Sequence, residues 1–280
     1  MSKSVLIGMA IFSSEENKKD DCLTRTLQAL SETVDFTVHK LILSVNAYTE
    51  RTKQIIETYE QKGVISLVFW NNSNLGTAEA INKCWERRSP GQHCIKMDDD
   101  VCMYQPGWLE TMLEVIERDK SIGQVGLKRK DCWENPYHES AFYKSKLIML
   151  TKTIDQKWLI AEQVNHVMGT CVLHSSLLLD KVGYLKQPTV YGFDDSLMSL
   201  RSSIAGFKNV FLPQFEIDHI DDGATPYQGW KEATAGKDME EYNRLKDGYI
   251  KKEISVYYNP FENDSIYQAD EDTFASPPKD

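Results

Sequence analysis

Three consecutive carboxylates, Asp98, Asp99 and Asp100, are the residues of this chain best suited to chemistry. They follow the apolar residues Cys94 and Ile95, a pattern typical of the end of a buried strand. Adjacent carboxylates repel one another and cost stability unless a cation or a dense set of donors compensates. Hard carboxylate oxygens suit Mg²⁺ or Mn²⁺, and such ions commonly hold the phosphates of a substrate. The run therefore indicates a metal and phosphate site, and the alternative is a solvated acidic turn.

The segments around this acidic run alternate between strand and helix patterns. Apolar runs that begin at Val5, Leu41, Val64 and His93 predict four strands, and the intervening segments place apolar residues at helical spacing. This alternation is the signature of an α/β fold with a mostly parallel sheet flanked by helices. Ligands of such sheets bind outside the carboxyl ends of the strands, which is where the acidic run falls.

The second half of the chain carries further elements. The patterns predict a strand over 167–173, helices over 176–182 and 194–205, a short strand over 210–212, and a charged helical segment over 231–253. Pro213 is expected to break the short strand, because proline cannot donate to a sheet ladder. Asp194 and Asp195 stand at the start of one of these helices, where the simplest interpretation is that they cap it.

Composition narrows the class of protein. The chain has 280 residues, of which 41% are hydrophobic and 26% charged, as in ordinary globular proteins. Its net charge of −10 argues against broad nonspecific binding of nucleic acids. No run approaches the roughly 18 apolar residues of a membrane-spanning helix, and no secretion signal is recognisable, so we expect a cytoplasmic location. The cysteines form no Cys-x-x-Cys pair and are expected to be reduced thiols.

A loop motif precedes the acidic run. Asn72, Gly76 and Asn82 follow the spacing Asn-x-x-x-Gly-x-x-x-x-x-Asn, in which the glycine permits a tight turn and the next helix N-terminus can face an anion. Taken alone, a plain turn with a helix cap explains this motif equally well. With a helix, a strand and an Asp-x-Asp formed by Asp98 and Asp100 after it, the motif resembles the nucleotide-diphospho-sugar glycosyltransferases of the GT-A fold, most closely family 2.

The second half of the chain follows the order of the same family. Gly169 lies in a predicted strand, Asp194 and Asp195 stand where the family has Glu-Asp, and Arg201 and His219 follow. The resemblance covers residues 5–219. We therefore expect a GT-A (Rossmann-like) domain over 1–222, with a C-terminal helical extension over 223–268 that can form a lid. The acidic tail over 269–280 is expected to be disordered.

The resemblance also implies roles for individual residues. Asp100 and His219 would bind Mn²⁺ or Mg²⁺, and Asp98 would bind the metal or the ribose. Asp195 would be the base that deprotonates the acceptor hydroxyl, with Asp194 as the second catalytic acid. The residues implied in donor binding are Asn46, Asn72, Gly76, Asn82, Asp98, Asp99 and Arg201.

Several of these roles have structural alternatives. Asp99 can face solvent, His219 can be a surface histidine, and Arg201 can form a structural salt bridge. The family usually has Asp where this chain has Asn46, at the end of the second strand, where the side chain contacts the nucleotide base. An amide can still bond uracil, so UDP-sugar is the favoured donor.

Three functional interpretations are weighed against the sequence, and one is favoured. The favoured one is a soluble, metal-dependent, inverting glycosyltransferase that adds single sugars, because the Gln-x-x-Arg-Trp motif of processive synthases is absent. Its acceptor is open among a glycan, a lipid-linked sugar, a protein and a modified nucleic-acid base. A nucleotidyltransferase would need a Gly-rich phosphate loop that residues 9–14 do not supply. An inactive sugar-nucleotide-binding module would be expected to have lost Asp98, Asp100 and Asp195.

Overall fold

The computed structural model of the chain describes residues 4–130, 146–150, 158–221 and 226–262. The tail predicted at 269–280 lies outside these residues. Among the described residues, no helix is both long and apolar enough to cross a bilayer.

The described chain forms one sheet with helices around it. In chain order the strands are β1 (Val5–Phe12), β2 (Lys40–Ala47), β3 (Leu67–Trp70), β4 (His93–Met97), β5 (Val101–Cys102), β6 (Ile122–Arg129), β7 (Lys146–Leu150), β8 (Leu159–Val164), β9 (Cys171–His174) and β10 (Lys208–His219). The helices are α1 (Asp20–Thr33), α2 (Glu50–Gln61), α3 (Thr77–Trp85), α4 (Trp108–Arg118), α5 (Ser176–Val182), α6 (Asp194–Ile204) and α7 (Pro226–Ile250).

The sheet is mixed but mostly parallel. Its strand order is β3-β2-β1-β4-β9-β6-β10-β8-β7, and the short β5 pairs with β10. Strands β1 to β4 run in the same direction, and β6 pairs with β10 in parallel. Strands β9 and β8 run against their neighbours. The α/β class with a mostly parallel sheet flanked by helices is confirmed.

The core lies on both faces of the sheet, as the alternation of side chains along a strand requires. On one face, Ile7 and Met9 of β1 pack in the cluster that contains Leu27 of α1 and Leu109 of α4. On the other face, Leu6 belongs to the cluster formed with α3 and α5. Helices of both layers thus hold β1 and β4 in the centre and fix the positions of their carboxyl ends.

Pro213 does not end its strand as predicted. β10 runs from Lys208 to His219 through this proline. The pairing of β10 with β6 shifts register between Leu212 and Glu216, so Pro213 lies in an irregular stretch of the ladder. A bulge tolerates proline because the missing N–H has no ladder partner to serve. The consequence is a strand long enough to reach the acidic run.

The C-terminal extension packs against the rest of the chain. Leu245 and Tyr249 of α7 form a buried cluster with Leu197 of α6. After α7 the chain returns to the end of α5, where the Tyr258 N–H donates to the Val182 carbonyl at 3.0 Å. The extension therefore supports α6, the helix that begins with the two predicted catalytic acids.

Candidate active site

A cleft of about 640 Å³ opens at the carboxyl ends of β1, β2 and β4. From the first half of the chain, the cleft is lined by the predicted residues Asn46, Gly76, Asp98, Asp99 and Asp100. From the second half, it is lined by Asp194, Asp195 and His219. The fold thus gathers most of the predicted site residues in one place, including Asp99, which is buried rather than facing bulk solvent.

Asp100 and His219 become neighbours through the shortest strand of the sheet. β5 follows Asp100 directly and pairs antiparallel with the end of β10, so that Val101 lies opposite His219. The Ile220 N–H also donates to the Asp100 carbonyl at 2.8 Å. As a result His219 Nε2 lies 3.5 Å from Asp100 Oδ1.

Lys19 shares the same carboxylate. Its Nζ lies 2.5 Å from Asp100 Oδ2 and 2.6 Å from Asp221 Oδ2. Burial alone lowers the pKa of Lys19, but the charges of Asp100 and Asp99 and the hydrogen bonds to Asp100 and Asp221 outweigh it and raise the pKa. Lys19 is therefore a permanent cation in the acidic wall.

The donor set at Asp100 fits a divalent cation only in part. Asp100 Oδ1 is buried with no hydrogen-bond partner, although it faces the imidazole of His219. Carboxylate oxygen and imidazole nitrogen are both acceptable to Mn²⁺. Among the described residues, however, no three His, Cys, Asp or Glu side chains converge to hold a metal unaided. Asp100 and His219 would hold a cation only if a ligand supplied further oxygens, as a diphosphate does.

Asp98 sits at the rim of this acidic wall. Burial raises the pKa of the Asp98 carboxyl to about 6; the Lys96 charge opposes this shift and the Asp100 charge adds to it. A carboxyl whose ionised form is disfavoured in this way is stabilised by a cation nearby.

Lys96 forms ion pairs with both acidic motifs, the run that begins at Asp98 and the pair that begins at Asp194. Its Nζ lies 2.9 Å from Asp194 Oδ2 and 3.7 Å from Asp98 Oδ1. The approach depends on Gly169, because a Cβ at that position would lie only 2.4 Å from the Lys96 Nζ. Burial lowers the pKa of Lys96, but the charges of Asp194 and Asp98 outweigh it and raise the pKa. Asp194 is therefore the ion-pair partner of Lys96. The catalytic role implied for Asp194 stays a prediction.

Asp195 is held by donors on every side. The Gly169 N–H donates to Oδ2 at 3.0 Å, and the Ser196 N–H donates to Oδ1 at 2.6 Å. His166 Nε2 lies 3.3 Å from Oδ2. Burial raises the pKa of Asp195, but the hydrogen bond and charge of His166, the charge of Lys96 and the Gly169 N–H outweigh burial and lower it. Asp195 is therefore an ionised carboxylate in the wall of the cleft.

Phe193 aims these two acids into the cleft. It precedes α6 with φ of +65°, a left-handed conformation that costs a bulky residue energy and that recurs at functional sites. Its ring stacks on Tyr242 of α7, with the centroids 4.4 Å apart. The C-terminal extension thus packs against the strained residue that precedes Asp194 and Asp195 in the wall of the cleft.

Aromatic side chains form another part of the wall. Tyr191 and Trp230 line the cleft, and their ring centroids lie 5.9 Å apart. Trp230 belongs to α7, as expected if the extension covers the site. The side chains of Tyr227 and Lys231, which belong to the same predicted lid, lie outside the described residues.

The chain resembles known proteins in sequence and in fold. The model of glycosyl transferase family 2 matches residues 16–178, more than half of the chain. This chain belongs to glycosyl transferase family 2. The family predicted from the motifs is confirmed. No curated protein matches this family 2 chain significantly.

Solved structures resemble this family 2 chain in fold. TarS 1–349 from S. aureus aligns with a TM-score of 0.60 and 14% identity over 88% of this chain and 64% of that one. The mannosyltransferase PcManGT from Pyrobaculum calidifontis aligns with a TM-score of 0.58 and 13% identity, over 81% of this chain and 59% of that one. GalNAc-T7 aligns with a TM-score of 0.56 and 13% identity, over 78% of this chain and 43% of that one. The chain spans less than two thirds of each, and the likeness confirms the GT-A fold.

Arg201 lies outside the cleft, although the family motif implied a role in donor binding. It is fully buried, and its guanidinium donates to the carbonyls of Val256 and Tyr184 at 2.7 Å and to that of Val182. Burial lowers the pKa of Arg201 to about 10. Asp194 and Arg201 are seven residues apart, which is about 10 Å along a helix, so Arg201 lies in the second half of α6. Arg201 fastens the C-terminal segment to α5.

Two asparagines of the loop motif also lie outside the cleft. Asn82 is fully buried and exchanges two hydrogen bonds of 2.9 Å with the backbone of Leu185. Asn72 is exposed and does not line the cleft. Asn82 thus joins α3 to the segment after α5, Asn72 faces solvent, and the implied role of both in donor binding stays a prediction.

The loop motif positions backbone instead of binding an anion. Gly76 has φ of +80°, and a Cβ there would lie 2.7 Å from the Val190 backbone, so the predicted tight turn is confirmed. The first N–H groups of α3 do not face an anion, because Thr77 donates to the Val190 carbonyl and Ala78 to the Gln187 side chain. Asn46 lines the cleft, but its oxygen accepts from Leu75 N–H at 3.2 Å and its nitrogen donates to the Gly76 carbonyl at 3.3 Å. Its contact with a nucleotide base stays a prediction.

Sequence patterns missed three residues of this family 2 site: Lys19, Lys96 and His166. Lys96 carried a usable signal, since it is a lysine inside the apolar residues of β4. Lys19 lies in a mixed-charge stretch before α1, and His166 lies in an irregular segment before β9. Neither differs in sequence from an exposed polar residue, so only the fold reveals them.

Proposed function

We propose that this chain is a metal-dependent, inverting glycosyltransferase that moves a single sugar from a nucleotide-diphosphate sugar to an acceptor hydroxyl. The favoured donor is a UDP-sugar. The observation that carries the proposal is one cleft, in a family 2 chain, with Asp98, Asp100 and His219 in one wall and the ionised Asp195 in another.

The charge of the cleft supports the use of a cation. The described residues that line it include six carboxylates, Asp98, Asp99, Asp100, Asp194, Asp195 and Asp221. The lysine and arginine residues that line the same cleft are Lys19, Lys96 and Arg129. Such a surface repels a diphosphate unless an additional cation accompanies it. A bound Mn²⁺ or Mg²⁺ supplies this charge and neutralises the phosphate that leaves the sugar.

The chain's own residues then divide the work. Asp100 Oδ1 and His219 Nε2 would hold the cation, and Asp98 would bind the ribose or the cation. Asp195 accepts the proton of the acceptor hydroxyl on the face of the sugar opposite the diphosphate, so that the anomeric centre inverts. The N–H groups of Gly169 and Ser196 fix the direction of this carboxylate.

The ligands of the neighbours support the donor class. GalNAc-T7 was solved with UDP, GalNAc and Mn²⁺, PcManGT with GDP-Man and Mn²⁺, and TarS 1–349 with UDP-GlcNAc. Each of those proteins binds a nucleotide or nucleotide sugar, and their bases differ. The base preference of this chain therefore needs its own measurement.

Nucleotide binding tests the proposal directly. Calorimetry should show that UDP binds at least about tenfold more tightly with Mn²⁺ than with EDTA, because a cation held by Asp100 and His219 would attract the diphosphate. Thermal shifts with UDP, GDP, CDP and dTDP, each with Mn²⁺, should rank UDP first. Equal UDP affinity in Mn²⁺ and EDTA would remove the metal from the proposal. A preference for GDP would replace uridine and leave the reaction class intact.

A further inference from the structure

The Lys19 ammonium is a fixed positive charge inside the acidic wall of the cleft. It contacts Asp100 and Asp221, and only 6% of the side chain is exposed. Lysine side chains normally keep the ammonium in water. Burial between two carboxylates therefore points to a specific task for this charge.

The loop before α1 holds Lys19 in place. The Asn17 side chain donates to the Phe12 carbonyl at 2.8 Å, and its oxygen accepts from the Ser14 N–H at 2.9 Å and the Lys19 N–H at 3.3 Å. Lys18 adopts φ of +50°, so the chain turns sharply just before Lys19. These hydrogen bonds hold the backbone at Lys19 in one conformation. The side chain then reaches Asp100 and Asp221 from a defined position.

We propose that Lys19 couples cation binding to nucleotide binding, because it occupies carboxylate oxygens that a divalent cation would otherwise use. This inference rests on the proposed function. Asp221 Oδ2 and Asp100 Oδ2 both belong to Lys19. The free protein therefore offers a cation Asp100 Oδ1 and His219 Nε2, with Asp98 at the rim.

Two effects make the free site weak. Mg²⁺ and Mn²⁺ prefer several oxygen ligands, and two or three protein groups leave much of the shell to water. The cation must also bind to a carboxylate whose other oxygen already holds a positive charge, so the two cations repel each other across Asp100.

A bound diphosphate changes both effects. Its oxygens complete the coordination shell, and its negative charge offsets the sum of Lys19 and the divalent cation. The cation and the nucleotide therefore bind tightly only as a pair, and each raises the affinity of the other by the same factor.

Cation binding without nucleotide tests this role. The probe is Mn²⁺ alone, measured by calorimetry and by the electron-spin-resonance signal of the free ion, on the wild type, Lys19→Met and Lys19→Gln. We expect Mn²⁺ to bind each variant at least about tenfold more tightly than the wild type, within the usual range of coupling factors. The factor by which UDP raises Mn²⁺ affinity should fall in the same proportion.

Matched variants control for folding and for general charge effects. Lys208→Met removes a lysine outside the cleft, whose Nζ lies 2.9 Å from Asp119 Oδ2. The Mn²⁺ affinity of this variant should equal that of the wild type. Lys19→Met leaves two buried carboxylates without their cation. If it does not fold, Lys19→Met with Asp221→Asn removes both charges of that pair and should still bind Mn²⁺ more tightly than the single variant Asp221→Asn.

Two results would overturn the inference. Folded Lys19 variants that bind Mn²⁺ no more tightly than the wild type would show that Lys19 does not suppress the cation. Wild-type protein that binds UDP equally well in EDTA and Mn²⁺, and loses this affinity in Lys19→Met, would show that the ammonium replaces the metal. A wild type that binds no UDP in either condition would count against the proposed function. The Mn²⁺-only comparison would still decide the effect of Lys19.

Discussion

Lys96 Nζ lies 2.9 Å from Asp194 Oδ2, so a buried ion pair links the end of β4 to the start of α6. Both side chains are only 7% exposed. Removal of one partner of a buried pair leaves an uncompensated charge. Asp195, the predicted base, follows Asp194 directly. Its position therefore depends on Lys96 of β4.

A double-mutant cycle should reveal this link. Lys96→Met and Asp194→Asn should each lower the free energy of unfolding by about 3 to 5 kcal/mol. The double variant should lose less than the sum of the two, because no unpaired charge remains from the pair. Urea denaturation followed by circular dichroism measures all four proteins. Strict additivity would mean that the two groups do not interact in the folded state.

Asp195→Asn should separate catalysis from binding. The amide keeps the shape of the side chain and removes its basicity, so transfer should fall by about two to four orders of magnitude. The affinity for UDP with Mn²⁺ should stay within a few-fold of wild type. Both oxygens of Asp195 accept from backbone N–H groups, and the amide leaves one donor without an acceptor. We therefore also expect a loss of about 1 to 3 kcal/mol in stability, and kinetics should be measured well below the midpoint of unfolding.

A variant with near wild-type transfer would exclude Asp195 as the base and make Asp194 the next candidate. A collapse of UDP binding in folded protein would instead place Asp195 in the donor site.

His166 should make stability depend on pH near neutrality. Burial lowers the pKa of His166, but the hydrogen bond and charge of Asp195 and the charge of Asp194 outweigh burial and the opposing Lys96, and raise the pKa above 6.5. Protonation of His166 therefore stabilises the folded state. This contribution is fully present below the unfolded-state pKa, and it is lost as the pH rises through the raised folded-state pKa.

His166→Gln tests the sign of this effect. The variant should be destabilised more at about pH 5.5 than at about pH 8.5, because the wild type carries the extra stabilisation only when the imidazole is charged. Urea denaturation at the two pH values gives the comparison. A larger destabilisation at the higher pH would contradict the assignment of a charged His166 beside Asp195.

Arg201→Met should damage the fold and spare the donor site. Three backbone carbonyls, one of them buried, lose a charged donor, so unfolding should become easier by on the order of 3 kcal/mol. UDP affinity of the folded fraction should be unchanged, since Arg201 lies outside the cleft. Arg118→Met is the control, because its helical pair with Glu114 is partly exposed and worth about 0.3 to 0.5 kcal/mol. A selective loss of UDP binding in Arg201→Met would restore the role that the family motif implied.

Much of the fold was predictable because its signals are local. Thr49 directly precedes α2, and threonine favours the N-cap position; its side chain accepts from the Thr52 N–H in a reciprocal capping box. Helical spacing of apolar residues between the predicted strands indicates α1 and α3. The strand β6 was not predicted, and Pro213 was given too much weight, because a bulge depends on the partner strand as well as on the residue.

The site was predictable only where chemistry and order in the chain coincide. Asp98 and Asp100 stand out because adjacent acids at the end of a strand are costly unless a ligand or donors compensate, whereas the role of Asp195 follows only from the resemblance to the family. Arg201 was placed in the cleft because the motif gives an order of residues and not the direction of a side chain. The Lys19 contact with Asp100 joins residues 81 positions apart, and no local pattern encodes it.

The pairing of β5 with β10 sets the time at which the cation site can appear during folding. It joins Val101 to His219, so a long stretch of chain must be ordered before His219 reaches Asp100. Contacts of such sequence separation form slowly, because the entropy of closing the intervening loop must first be overcome. The parallel strands β1 to β4 close much shorter loops. In a refolding experiment, affinity for Mn²⁺ with UDP should therefore return after most of the circular dichroism signal, as a marker that the last strand has joined the sheet.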